Sequence, residues 1–166
     1  MNPLRITEFI NALERTFKNI PRPLRTKRVA RALNEEWQLT AEMLAELQAQ
    51  DPETDWRVLS DTDILEFAHV LTCMDPPAFR FYYPAFLRYT LWHWSARLHD
   101  RVLLETVEVL WWQPDLVANL TLAETDLVTA ILTELASTGE GADYLTGDVP
   151  PVLQAHRERL TAEAVV

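Results

Sequence analysis

Apolar residues recur at intervals of three and four along most of the chain, which is the period of a helix buried on one face. The clearest example follows the segment Thr121-Leu-Ala-Glu124, whose Thr-x-x-Glu pattern predicts a capping box at a helix start. Its inward positions are Leu127, Val128, Ile131, Leu132 and Leu135. Because only three glycines occur in 166 residues, the turn residues of a β-sandwich or barrel are missing. The pattern predicts an all-α fold.

Prolines and capping residues divide this pattern into about six or seven helices of a single-domain bundle, residues 1–166. We expect Thr7 to cap the first helix, with residues 1–5 and 162–166 frayed. Two alternatives fit residues 25–50: one long helix, or two helices with the second capped by Thr40. Other helix starts are predicted at Ser60 or Asp61, Asp75, Asp100 and Pro150.

The segment Asp75–Trp94, DPPAFRFYYPAFLRYTLWHW, is predicted to be the central helix of the bundle. Asp75 before two prolines is a helix-start signal, because proline in the first turn loses no hydrogen bond. Aromatic residues then follow at helical spacing, which is more typical of a core than of a cofactor site. Pro84 lies inside the segment, and we expect it to kink or divide the helix near residues 81–83.

The formal net charge of −10 is unevenly distributed. Up to Arg31 there are eight Lys or Arg against two Glu, whereas the remainder carries seven Arg against twenty-three acidic residues. This acidity argues against a nucleic-acid partner, since phosphate contacts supply much of the affinity in such complexes. We expect the basic run Arg22–Arg31 to pair within the molecule, with the acidic stretch that follows it.

The cellular context is predicted from two further features. Cys73 is the single cysteine, and the charged N-terminal segment has no apolar signal core. Apolar runs are short, well below the ~18 residues of a membrane span. We therefore expect a cytoplasmic protein without a membrane partner.

The segment from Ala32 to Asp75 contains eleven acidic residues and a single basic one, Arg57. Such a stretch is either a solvated helix face or a surface that captures a basic protein. The candidate binding residues are Glu35, Glu36, Glu42, Glu46, Asp51, Glu53 and Asp55. This favours a non-catalytic interaction domain, an immunity-type or regulatory protein whose partner is a basic toxin or effector.

No catalytic residue, metal or cofactor is predicted. The chain has no glycine-rich phosphate loop, no Gly-x-Ser-x-Gly motif and no cysteine pair, and its Glu66-x-x-His69 motif lacks the second pair of a di-iron site. The alternative hypothesis is a small enzyme or ligand-binding domain with an aromatic pocket. Its candidate residues are Glu66, His69, Tyr82, Trp92, His93, Trp94 and Trp111.

The block Ala78–Leu87, AFRFYYPAFL, resembles a family of small, acidic, uncharacterised bacterial proteins that carries Phe-Arg-Tyr-Tyr-Leu-Pro-Ala-Phe. Tyr83 stands where that family usually has Leu. Weaker similarity covers most of the chain up to about Ser137 and includes Ile10, Phe17, Ile20-Pro21, Trp56, Leu71, Leu120-Thr121, Ile131 and Leu135. The resemblance implies a bacterial, cytosolic helical domain and brings no catalytic residues with it.

Overall fold

The computed structural model of the protein describes residues 2–35, 38–94, 101–137 and 150–164. The described residues form eight α-helices and three 3₁₀ helices and contain no strand, which confirms the all-α prediction. The α-helices are α1 (Pro3–Thr16), α2 (Lys27–Asn34), α3 (Ala41–Ala49), α4 (Asp61–Phe67), α5 (Pro76–His93), α6 (Arg101–Trp112), α7 (Leu122–Ser137) and α8 (Pro151–Glu163). The 3₁₀ helices are Trp56–Val58, Ala68–Cys73 and Pro114–Asn119.

The central position of α5 is confirmed. Most of its residues are buried, and it packs against α1, α4, α6 and all three 3₁₀ helices. Phe79 and Tyr83 stack with ring centroids 4.4 Å apart, and the Tyr83 hydroxyl donates to the carbonyl oxygen of Thr106 at 3.0 Å. The helix runs without a break through Pro84, so the predicted division does not occur, and a bend at this residue stays a prediction.

Short-range capping explains where several helices begin. The Asp75 carboxylate accepts from the backbone N–H of Ala78 at 3.0 Å, as predicted. Thr40 accepts from the N–H of Met43, so residues 25–50 form two helices and not one. Ser60 forms a capping box with Asp63, and the predicted box between Thr121 and Glu124 is also present. These side chains satisfy N–H groups that have no partner inside the helix.

The predicted start of the first helix is wrong. Asn2, and not Thr7, is the N-cap of α1, because its side chain accepts from the N–H of Leu4 while Pro3 occupies the first turn. Residues 3–5 therefore belong to α1, and fraying of the two chain ends stays a prediction. At the other end α8 continues to Glu163, and the predicted cap Asp100 lies outside the described residues.

Two leucines that fall at helical spacing with buried apolar residues, Leu33 and Leu65, are exposed. In α4 the packed face is set by Ile64 and Phe67, three residues apart, and Leu65 lies outside it. The chain then tightens into the 3₁₀ helix at Ala68, which ends the 3.6-residue period of α4.

A buried ion pair joins α5 to α7. Glu124 is 2% exposed, and both of its carboxylate oxygens accept from the Arg80 guanidinium at 2.9–3.1 Å. One of the same oxygens also accepts from the N–H of Thr121 at 2.8 Å. Glu124 thus serves the local cap and a contact between helices at once, and the second role has no signal in the local sequence.

One core joins these elements, with buried apolar side chains from Phe9 in α1 to Leu153 in α8. Trp56 connects two parts of it, because its indole N–H donates to the carbonyl of Phe17 at 2.8 Å, just after α1 ends. Among the described helices none is long and apolar enough to cross a lipid bilayer.

We expect Glu124→Ala to lower the free energy of unfolding by about 3 kcal/mol, because it removes a helix cap and leaves Arg80 without its buried partner. Chemical denaturation measures the change. Glu158→Ala, an exposed Glu→Ala change in α8, is the control and should stay within about 0.5 kcal/mol of the wild type. A Glu124→Ala protein as stable as this control would contradict the prediction.

Candidate functional site

The acidic and basic stretches of the sequence meet at the start of α2. Two prolines, Pro21 and Pro23, keep the chain extended before this helix, and Pro52 does the same after α3. Asp51 then reaches the N-terminus of α2, where its Oδ2 accepts from the N–H of Arg28 at 2.9 Å. The N-cap residue Thr26 makes no such bond with its own side chain. A residue distant in sequence therefore caps α2.

Lys27, Asp51 and Glu53 form a buried ion cluster at this point. Lys27 Nζ lies 2.6 Å from Glu53 Oε1 and 2.9 Å from Asp51 Oδ1. The three residues are 4%, 0% and 8% exposed, respectively. Asp51 Oδ1 also lies 3.1 Å from Arg28 Nε. Neither this contact nor the one with Lys27 has the angles of a hydrogen bond, so both are electrostatic contacts only. The cluster pairs charges that would be costly to bury singly.

Tyr82 links the ion cluster to the central helix. Its hydroxyl donates to Glu53 Oε1 at 3.0 Å, the oxygen that also accepts from Lys27. Burial raises the pKa of the Tyr82 phenol well above its usual range, and the neighbouring Glu53 charge raises it further. Burial likewise raises the pKa of Tyr83. Tyr82 is thus a neutral hydrogen-bond donor to the carboxylate.

The rest of the basic run also pairs internally, which confirms that prediction. The Arg22 guanidinium donates to the carbonyls of Gln48 and Asp51, both at 2.6 Å. Arg25 lies 3.5 Å from the Asp75 carboxylate. Arg31 lies 3.4 Å from Glu35 and 3.1 Å from Glu66. The run joins α2 to the exit of α3, to α4 and to the start of α5.

These contacts change the predicted acidic surface. Asp51 and Glu53 are interior residues and cannot belong to an exposed face. Asp55 pairs with Arg57, and the hydrogen bond from that guanidinium holds the pKa of the Asp55 carboxyl below its usual range. Glu35 is exposed but forms an ion pair with Arg31, and Glu36 lies outside the described residues.

What remains of the surface lies on α3. Glu42 and Glu46 are both exposed, and no basic side chain of the described residues lies within 4 Å of either carboxylate. This helix has no fully buried residue and packs mainly on α2.

The residues of the predicted aromatic pocket are divided between core and surface. Tyr82 and Trp94 are buried and Trp111 is partly buried against the core, whereas Glu66, Trp92 and His93 are exposed and His69 is half-buried. The His93 ring stacks on Tyr89 at 4.2 Å and its Nε2 lies 3.2 Å from Asp61. None of the seven residues lines the open cleft over the ion cluster of Lys27, Asp51 and Glu53.

An open cleft of about 370 Å³ lies over the ion cluster. Its lining includes Lys27 and Glu53 from the cluster, Gln50 and Pro52 from the exit of α3, and Val58 and Asp63 from the segment beyond. The sequence prediction missed Lys27 and Asp63, since nothing local indicates that residues so far apart in the chain meet. In the described part no three His, Cys, Asp or Glu side chains are grouped to hold a metal ion.

The fold and the site together define an all-helical domain whose buried aromatic helix is tied by charged side chains to the helices around it. A family model described as "Family of unknown function (DUF6714)" matches residues 5–141, and the chain belongs to this family. The match confirms the family resemblance, and it ends before α8 begins. No curated protein and no solved structure matches the chain.

We expect Lys27→Met to lower the free energy of unfolding by about 3–5 kcal/mol, because it leaves two buried carboxylates without their ammonium. Lys18→Met is the control. Lys18 is an exposed residue just after the end of α1, so the change should alter the free energy of unfolding by no more than about 0.5 kcal/mol. Urea denaturation followed by circular dichroism compares the two. Equal stability of both variants would show that the cluster does not support the fold.

We also expect at least two of the four tyrosines, Tyr82 and Tyr83, to stay un-ionised above pH about 10 for as long as the protein is folded. Because the folded state raises both pKa values, their contribution to stability is complete below that pH and is lost as the pH rises above it. Phenolate absorbance and circular dichroism, recorded together, test this. Full tyrosine ionisation before any loss of helix would refute it.

Proposed function

We propose that this protein is a non-catalytic interaction domain that binds a more basic protein through the outer face of α3, as an immunity-type or regulatory partner. The observation that carries the proposal is the pair Glu42 and Glu46. Both are exposed on one helix face, with no basic neighbour within 4 Å among the described residues.

The stability of α3 accounts for Glu42, since the helix dipole favours a carboxylate in the first turn, but it does not account for Glu46 or for the spacing of the two. Like charges four residues apart repel on a helix, by roughly 0.2–0.5 kcal/mol per pair. Glu46 also lies in the last turn, where the negative end of the helix dipole disfavours a carboxylate and where α3 carries no basic residue. A basic partner would turn both unfavourable terms into favourable ones.

The distribution of charge supports the same direction. The basic run Arg22–Arg31 pairs with other groups of the molecule: Arg22 donates to the carbonyl of Gln48 at the C-terminal end of α3, and no cation of the run lies within 4 Å of the Glu42 or Glu46 carboxylate. A net charge of −10 attracts a basic protein at long range and raises its association rate, an effect that salt screens. The proposed interface therefore combines general attraction with a specific acidic helix face.

The test compares capture of protein partners by the immobilised wild type and by Glu42→Lys/Glu46→Lys. We expect the wild type to retain a protein of basic isoelectric point from an extract of the cells that express it, and the variant to lose at least about nine-tenths of it. Added salt should weaken the wild-type interaction.

Glu108→Lys/Glu158→Lys is the matched control, because it changes the net charge equally at two exposed positions on α6 and α8. It should retain the partner. Equal loss in both double variants would leave only non-specific charge attraction, and equal retention would remove α3 from the interface. Either result, or the absence of any basic partner, would contradict the proposal.

A further inference from the structure

The open cleft over the ion cluster continues the acidic face of α3. Glu42, Glu46 and Gln50 follow one another at intervals of four residues, and Gln50 keeps helical backbone angles at the C-cap of α3. Residues at this spacing are neighbours on one side of a helix. Gln50 lines the cleft, so the acidic row leads along the helix to the cleft entrance.

Part of the cleft lining is apolar. Pro52, Val58 and Leu59 belong to this part. Val58 is 67% exposed, although it lies only two residues after the buried Trp56. An aliphatic chain lying against Val58 and Leu59 would remove this surface from water. The lining also includes the polar residues Gln50, Thr54 and Asp63.

The charges of the floor are unequal. Lys27 is neutralised by Glu53 at 2.6 Å, and Asp51 behind it is also paired with Arg28. Asp63 has the longest of the carboxylate contacts with Lys27: its Oδ1 lies 3.9 Å from Lys27 Nζ, whereas Glu53 and Asp51 lie at 2.6 and 2.9 Å, and its Oδ2 accepts from Ser60. Its side chain is 35% exposed, so a ligand in the cleft can reach it.

We propose that this cleft receives one basic side chain of the protein partner, with its ammonium or guanidinium head on Asp63 and its aliphatic stem on Val58 and Leu59. This inference rests on the proposed function. It assigns the cleft beside Glu42, Glu46 and Gln50 as the place where one side chain of the partner is held. Long basic side chains combine a charged head with an apolar stem, and the cleft lining contains both an acidic group and apolar residues for them to contact.

An anionic ligand fits the same cleft less well. Among the described residues Lys27 is the one basic residue that lines it, and its ammonium already lies within 4 Å of three carboxylates. An anion approaching Lys27 would meet the negative charges of Glu53 and Asp63 and would have to displace a pair that is buried. The lining therefore selects a cation.

Butylguanidinium is the probe for this site, and its neutral analogue butylurea is the reference ligand. Nuclear magnetic resonance titration of the wild type should shift the signals of Gln50, Thr54 and Val58 with butylguanidinium and not with butylurea. Asp63→Asn should weaken binding at least about tenfold, because it removes the charge that the guanidinium head contacts.

Asp61→Asn is the matched control, since Asp61 lies in the same first turn of α4 but does not line the cleft. Its affinity for butylguanidinium should equal that of the wild type. Circular dichroism of both variants verifies that the change at Asp63, which belongs to a capping box, leaves the helices intact.

Val58→Ser separates the stem from the head. At this exposed position the change does not threaten the fold, and it should weaken butylguanidinium several-fold while leaving methylguanidinium, which has no stem, unchanged. Equal effects on the two probes would contradict the assignment of Val58 as the wall.

The partner is tested separately from the probe. In the capture experiment, Asp63→Asn should retain less of the basic partner than Asp61→Asn does. Butylguanidinium that fails to bind the wild type, or that binds Asp63→Asn equally, overturns the inference even if the α3 face captures a partner. Full retention of the partner by Asp63→Asn overturns it as well. If no partner exists but butylguanidinium binds as expected, the cation site stands and the proposed function falls.

Discussion

Lys27 places an ammonium group in the interior, and a charge in such a position is tolerated only where opposite charges and hydrogen bonds surround it. Two separate parts of the chain meet that requirement together. The exit of α3 supplies Asp51 and Glu53, and α5 supplies Tyr82, which donates to the same Glu53 oxygen as Lys27 does. The pairing of one lysine thus sets how α2, the turn after α3 and the central helix lie against one another.

This requirement also explains the uneven charge of the sequence. Arg22 and Arg28 hold the segment around Asp51, while Arg31 and Arg25 reach acidic residues on other elements. The N-terminal excess of positive charge is therefore structural, and the acidic residues opposite it are structural too. Exposed acidic residues without a basic neighbour, such as Glu42 and Glu46, are fewer than the composition suggests. They support the proposed binding role better than the overall acidity of the chain does.

The parts of the structure that the sequence predicts are those governed by contacts within one helical turn. The caps at Ser60, Asp75 and Thr121 are of this kind, as is the aromatic period of α5. The start of α1 was missed because Asn2 and Thr7 are both good caps, and the proline after Asn2 favours the earlier one. Contacts such as Arg80 with Glu124 or Tyr82 with Glu53 join residues 44 and 29 positions apart, so no local pattern indicates them.

Pro84 shows how far packing overrides propensity in the central helix. Its ring removes one backbone hydrogen bond and leaves the carbonyl of Arg80 without its usual donor, yet the helix continues to His93. The side chains on either side hold it: Arg80 is fixed to Glu124, Tyr83 to Thr106, and Arg88 donates to the carbonyls of Arg57 and Leu59. Each of these bonds attaches α5 to a different element, so the helix is kept in place from outside. A segment held in this way serves as a scaffold, and the partner site that we propose lies outside it, on the outer helix α3 and in the cleft at its end.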